Sequence, residues 1–241
     1  KFCMNNVAII IPTYNELENI QRLVNEIRKN ITKCNIYIVD DTKNDDIGKL
    51  ITRKKLKVKY FHRKKKSGRG SAVIYGLKKA FKDKQNKIFI EMDADFSHNP
   101  KELNRNLNIF RKKNLDLLIA SRYLKKSKII NWGLSRRVFS ILSNFLARNV
   151  LKIFLHDFTN GFRIYSKRSA KKIIQKCGNI GDGFIILSEI IVVLHNNHFK
   201  IDEISSKFVN RERGQSSVNL SLVLASFFGL MKLFFIKSKL K

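Results

Sequence analysis

Proline is nearly absent: Pro12 and Pro100 are the only two in 241 residues, and neither they nor the 11 glycines gather into a linker. No compositional break divides the chain, and its length suits one generous domain. Cysteine is equally sparse. Cys3, Cys34 and Cys177 are odd in number and far apart, which excludes a disulfide framework and a clustered zinc site and fits a reducing compartment. The first residues, Lys1 to Asn6, lack the basic-then-apolar pattern of a secretory signal. Acidic residues are few, 19 against 49 lysines and arginines, leaving a formal charge of +30. An excess of that size points to a polyanion, whether nucleic acid, anionic membrane or phosphorylated substrate, or else to solvated lysines in a chain also rich in Asn and Ile.

Several catalytic signatures are missing as well. No H-E-x-x-H, G-x-S-x-G or G-x-x-x-x-G-K-[ST] string occurs, which removes the usual metalloprotease, serine-hydrolase and Walker-type readings. Gly68-Arg69-Gly70-Ser71 opens a predicted helix, but Val73 stands where a dinucleotide fingerprint needs its last glycine. That segment reads as a tight turn with incidental phosphate contact. His98, His156, His195 and His198 form no ligand spacing and read as surface or capping histidines.

What is present is an alternation. Short β-branched runs at Val7 to Ile11, Ile36 to Val39, Val58 to Phe61, Ile88 to Met92 and Leu115 to Ala120 read as buried strands. Between them Asn19 to Asn30, Ser71 to Lys82 and Pro100 to Lys113 have helical periodicity, the first with a capping box from Asn15 to Glu18. Longer helical patterns follow at Val138 to Leu155 and Phe184 to Asn196, then a candidate strand from Phe199 to Val209. The alternation predicts a parallel, doubly wound sheet whose ligands lie beyond the carboxyl ends of the strands. Acidic residues fall at those ends: Asp40 and Asp41 after the second run, Asp93 and Asp95 after the fourth, with Pro12, Tyr14 and Glu16 after the first.

The Asp93-Ala94-Asp95 string supplies hard oxygen donors suited to Mg²⁺ or Mn²⁺, which complete their shells with water and substrate phosphates; the other reading makes Asp95 or Ser97 the cap of the helix after Pro100. Arg122, Arg136, Arg137, Arg163, Arg211 and Arg213 stand apart from the lysine clusters, and as a group their forks suit phosphate oxygens. Leu220 to Ile236 is apolar except for a few small residues and Lys232, and a basic run ends the chain. Seventeen residues are marginal for a bilayer span, so a helix lying in the interface is favoured over a span or a buried core helix.

In order along the chain stand Ile9-Ile10-Ile11-Pro12-Thr13-Tyr14-Asn15-Glu16, Val39-Asp40-Asp41, Asp93-Ala94-Asp95-Phe96-Ser97-His98 with Pro100, Ser121-Arg122-Tyr123, Asn160-Gly161-Phe162-Arg163-Ile164-Tyr165 and Arg211-Glu212-Arg213-Gly214-Gln215-Ser216. This order resembles the GT-A glycosyltransferases of family 2, and among them the polyprenyl-phosphate (dolichol-phosphate) mannose synthases. The resemblance implies a GT-A, Rossmann-like α/β fold with a mixed, mostly parallel sheet, a catalytic domain over 1–217 and a membrane-associating helix over 218–241. It also implies inverting transfer of mannose from GDP-mannose to a polyprenyl phosphate at the cytoplasmic face of a membrane. The donor would be held by Pro12, Tyr14, Glu16, Asp40, Asp41, Asp93 and Arg211, and Mg²⁺ or Mn²⁺ by Asp93 and Asp95 near Ser97. The acceptor phosphate would meet Arg122, Arg136 and Ser140, with Asp95, Arg122 and Arg136 carrying the catalysis. Arg211, Gly214 and Ser216 would belong to a loop closing over the donor diphosphate. Two departures stand out: Thr42 to Asp46 replaces a Gly/Ser/Pro-rich turn, and Ser217 replaces a common lysine. A UDP-sugar donor is the nearest rival reading. A basic nucleic-acid-binding protein is the non-enzymatic one, although no RNP-like, KH-like or zinc-finger string supports it and no nucleic-acid partner is expected.

Overall fold

The computed structural model describes residues 6–63, 68–181, 183, 185–210 and 220–240, the side chains of 220–227 and 239 excepted. The first half alternates as its apolar periodicity requires: β1 (Val7–Thr13), α1 (Leu17–Asn30), β2 (Asn35–Asp40), α2 (Asp46–Arg53), β3 (Lys59–His62), α3 (Arg69–Phe81) and β4 (Ile88–Glu91). A short 3₁₀ turn, Pro100–Glu102, leads into α4 (Leu103–Lys112), β5 (Leu117–Ser121), β6 (Lys128–Ile130) and α5 (Leu134–Leu151). The chain continues through β7 (Arg163–Ser166), α6 (Lys167–Lys176), α7 (Ile185–Asn196), β8 (Ile201–Ser205), β9 (Lys207–Val209) and α8 (Leu220–Ile236).

Seven strands form one sheet in the order β3-β2-β1-β4-β7-β5-β8, and β6 pairs with β9 in a small second sheet. All neighbours in the large sheet are parallel except the two pairs made by β7. Along β1 successive side chains alternate between two cores. Ile9 and Ile11 enter the core with α1 and α4, whereas Ala8 and Ile10 enter the one with α3, α6 and α7. This is a doubly wound, mixed and mostly parallel α/β fold, and β1, β4 and β5, covered on both faces, are buried throughout.

Three local expectations are corrected. Asn15 and Glu18 form no capping box: Asn15 has φ 58°, α1 begins at Leu17, and Asn19 Nδ2 donates to Glu16 Oε2 at 2.6 Å. The reason is that Asn15 N–H donates to Thr42 Oγ1 at 2.9 Å, tying the β1 loop to the end of β2 instead of to the helix. The turn after Pro100 is capped by Asn99, which accepts from Lys101 N–H at 3.1 Å, so neither Asp95 nor Ser97 caps it. The run from Phe199 to Val209 is two strands, since Ser206 breaks away to receive Lys128 N–H and to donate from its own hydroxyl to Glu102.

Helix α8 lies against the globule through Leu230 and Leu233, which are buried in the core that contains α7. A Cβ on Gly229 would come within 2.8 Å of Ile185 Cγ1, so the glycine permits that approach. Phe228 and Phe235 face outward. No helix among the described residues is long and apolar enough to cross a membrane.

Candidate active site

The site is built where β1, β2 and β4 end. Each strand is held rigidly between helices, so the loops leaving their carboxyl ends converge at one rim. A cavity of about 400 Å³ lies there, lined among others by Asn15, Glu16, Thr42 and Asn44. Glu16 is the predicted donor residue that reaches it. Pro12 is buried inside β1 and Tyr14 is exposed beside the loop.

The acidic pair Asp40 and Asp41 is divided by its environment. Asp40 is fully buried: its Oδ1 accepts from Thr13 Oγ1, Thr42 N–H and Thr42 Oγ1, and its Oδ2 from Tyr60 Oη. That carboxylate shapes the β2 loop from beneath. Asp41 receives both prongs of the Arg63 guanidinium, which also donates to Ser71 Oγ at 2.8 Å.

Around the D-x-D string the structure assembles residues from four segments. The Asp93 N–H donates to His98 Nδ1 at 3.0 Å, so that nitrogen carries the lone pair, and His98 Nε2–H donates to Asn160 Oδ1 at 2.9 Å. Asn160 Nδ2 in turn donates to the Ala120 carbonyl at the end of β5. His98 is therefore no surface histidine: it is 1% exposed, stacked on Phe162 and edge-on to Phe208. Asp95 Oδ1 accepts from both the N–H and the hydroxyl of Ser97, and both residues are buried. Asp93 is 28% exposed in its side chain. Among the described residues no three acidic, His or Cys side chains close on one point. An ion held here would rest on two carboxylates and draw its other ligands from water and phosphate oxygens. This donor chemistry fits Mg²⁺ or Mn²⁺.

Arg69, which the sequence offers only as part of the Gly68–Ser71 turn, belongs to the site. It starts α3, crosses to β4, and donates to Asp93 Oδ1 from Nε and Nη2 at 2.8 and 2.6 Å and to Glu91 Oε1 from Nη1 at 2.6 Å. Burial alone would favour loss of its proton, but the charges of Asp93 and Glu91 outweigh that and keep the guanidinium ionised. Gly161 makes the crossing possible: a Cβ there would meet Arg69 Nη2 at 1.9 Å.

The predicted acceptor residues also gather. Arg122 is buried in a bidentate pair with Asp157, with Nε and Nη2 at 2.8 and 2.7 Å. Its guanidinium carbon lies 5.4 to 5.5 Å from the ring centroids of Tyr123, Trp132 and Phe208. Arg136 lies 4.3 Å from the Trp132 ring centroid and donates to Asn210 Oδ1. Tyr123 Oη donates to Ser140 Oγ at 2.6 Å. Phe208 joins the two halves, touching His98, Trp132 and Arg122. Burial lowers the Arg122 pKa, yet the charge and hydrogen bonds of Asp157 outweigh it, and Tyr123 and Asp93 contribute in the same direction. Arg163 does not belong to this group. It is wholly buried and gives its donors to the carbonyls of Asn160, Phe158 and Leu187, which locks β7 in place. Arg211, Arg213, Gly214, Ser216 and Ser217 lie outside the described residues.

The profile described as "Glycosyl transferase family 2" matches residues 8–174. The chain belongs to that family. It is a glycosyltransferase, and its sheet order and acidic strand ends are those of a GT-A fold. The chain is 32% identical over 228 residues to a polyprenol monophosphomannose synthase from Mycolicibacterium smegmatis, covering 91% of this chain and 83% of that protein. It is 31% identical over 221 residues to an undecaprenyl-phosphate mannosyltransferase from Micrococcus luteus, covering 90% and 89%. Among solved structures, glucosyl-3-phosphoglycerate synthase from Mycobacterium tuberculosis, in complex with Mn²⁺, uridine diphosphate and phosphoglyceric acid, superposes with a TM-score of 0.69. The identity is 13%, and the alignment covers 95% of this chain and 78% of that one. At that identity the likeness concerns the fold.

Proposed function

We propose that this glycosyltransferase moves mannose from GDP-mannose to a polyprenyl phosphate with inversion, working at the cytoplasmic face of a membrane. The names of the two relatives support the sugar and the lipid. The observation that carries the reading is the two-faced character of α5. Its inward residues are Arg136, Ser140, Asn144, Ala147 and Leu151, so the polar ones at its start point toward Arg122 and Trp132. Beside the exposed Ser135, Arg137 and Asn149, its outward surface carries large apolar residues: Leu134 is 77% exposed, Val138 55%, Leu142 50% and Phe145 60%. An ordinary surface helix has the opposite distribution. This helix brings arginine and hydroxyl groups for a phosphate together with an apolar surface for hydrocarbon, and Arg137, Arg148 and Lys152 lie along it for anionic headgroups.

The chemistry asked of the residues is limited. A phosphate monoester is largely doubly ionised at neutral pH, its second pKa being about 6, so it attacks without a general base. Two anions must be brought together, and Arg122 and Arg136 offset that repulsion. A divalent ion on Asp93 and Asp95 would stabilise charge on the departing nucleoside diphosphate.

Incubating the full chain with GDP-mannose or UDP-glucose, Mg²⁺ and a short polyprenyl phosphate tests the reading. Mannosyl lipid should form from GDP-mannose, and glycosylated lipid from UDP-glucose alone would refute the donor assignment. Leu142→Asp with Phe145→Asp should reduce cosedimentation with anionic vesicles more than tenfold, since each buried apolar side chain contributes about 2 kcal/mol. Turnover of a water-soluble short-chain acceptor should persist; vesicle binding equal to that of the unaltered protein would show that α5 is not the lipid-facing surface.

A further inference from the structure

The acidic rim contains a cation of its own. Arg69 reaches 24 residues along the sequence to Asp93, placing two of its donors on a single carboxylate oxygen and the third on Glu91. Glu91 is wholly buried, and its other oxygen accepts from Tyr165 Oη at 2.6 Å. The guanidinium lies so close to Gly161 that a Cβ there would come within 1.9 Å of Nη2. Glu91 and Asp93, two acids on one short segment, share this single guanidinium, and Asp95 follows two residues later. A nearby positive charge lowers their mutual repulsion and equally lowers their attraction for a second cation.

We propose that Arg69 is a built-in counter-charge that competes with a divalent cation for Asp93 and so sets how tightly that cation is held. The inference rests on the reading of Asp93 as a cation ligand and makes Arg69 a positioning residue. Without a divalent ion Arg69 would keep Asp93 oriented. When the ion arrives it meets a carboxylate already shared with a guanidinium. The site then has weak affinity until phosphate oxygens add their own charge, which couples occupation by the metal to arrival of a nucleoside diphosphate.

The test is titration of the full chain with Mn²⁺ alone, followed by the electron paramagnetic resonance signal of the free ion. Arg69→Met should bind Mn²⁺ more tightly than the unaltered protein, on the order of tenfold, as removal of a unit charge a few ångströms from the ion requires. Arg69→Lys, which retains the charge, should stay near the unaltered value. Because Arg69→Met leaves the buried Glu91 carboxylate without its positive partner, the same substitution is also compared within a Glu91→Gln background, where the tightening relative to Glu91→Gln alone should persist. Unchanged or weaker Mn²⁺ binding in both backgrounds overturns the proposal. Asp93→Asn distinguishes the two levels. If the unaltered protein binds Mn²⁺ no better than this variant, the cation assignment itself fails; if it binds better and Arg69→Met changes nothing, only the counter-charge is wrong.

Discussion

Asp95→Ala is expected to reduce glycosyl transfer by two to three orders of magnitude while leaving the thermal transition within a few degrees of the unaltered protein. The kinetic part follows from the role proposed for the carboxylate: loss of one preorganised charge contact at a departing anion typically costs about 3 to 4 kcal/mol of barrier. The stability part follows from its surroundings. Asp95 accepts from the N–H and hydroxyl of Ser97, two bonds within one turn, and Asn99 rather than Asp95 caps the following helix. Removing the carboxylate takes these two bonds from the turn and leaves the Asn99 cap in place. Chelation of divalent ions should produce a comparable loss in the unaltered protein. Full activity in excess EDTA would contradict a metal-assisted departure, and a variant that is merely unfolded would be recognised by its circular dichroism.

Asp157→Ala should do the reverse, acting first on stability. Arg122 is buried, and Asp157 receives its main-chain N–H and two side-chain donors, together with the N–H groups of Thr159 and Asn160. Breaking a buried pair by deleting one partner costs about 3 to 5 kcal/mol, because a charge is left without compensation. In a chain of this size that corresponds to a fall in Tm on the order of 10 °C. Burial would raise the Asp157 pKa, but the Arg122 charge and the hydrogen bonds hold it below the ordinary carboxylate value. A depressed folded pKa means that the stabilisation is complete above the unfolded carboxylate range and is lost as pH falls through the folded value. Acid unfolding of the unaltered protein below about pH 4 should therefore be shallower in the variant. Asp157→Ala combined with Arg122→Met should recover much of the Tm without recovering transfer. Recovery of both would make the pair purely structural and remove Arg122 from the acceptor site.

The two outcomes differ because two kinds of acid stand in this chain. Asp93 and Asp95 follow a buried apolar strand and meet the rim. Asp40, Asp116 and Asp157 are consumed by neighbours inside the globule: Asp116, for example, takes the Arg168 fork, Ser166 Oγ and Lys200 N–H. Burial pushes the Asp116 pKa upward, but Arg168 and those hydrogen bonds bring it below its ordinary value. Counting acids along the chain does not separate the groups. Their partners do.

Much of the frame was legible from residue order. β1, β2, β4 and β5 are short β-branched runs buried on both faces, and such runs have few alternatives when helical periods separate them. The placement of Asp93 and Asp95 followed, since a strand end is a local feature. β7 was not legible as a strand. It has a buried arginine in its first position and enters between β4 and β5 antiparallel to both, a position that depends on pairing with distant strands and not on its own composition. The burial of His98 has no local signal for a similar reason: its partners Asn160 and Phe208 lie far along the chain.

Periodicity, which acts over one or two turns, was enough to specify an alternating α/β chain and to put carboxylates at strand ends. Which guanidinium each carboxylate would meet, and that α5 would turn Arg136 and Ser140 inward while leaving Phe145 outside, was decided only when distant segments packed. Ion pairs and buried faces are set by the path of the backbone through space, and residues 24 or 35 positions apart, as in Arg69–Asp93 and Arg122–Asp157, have no local pattern that announces them.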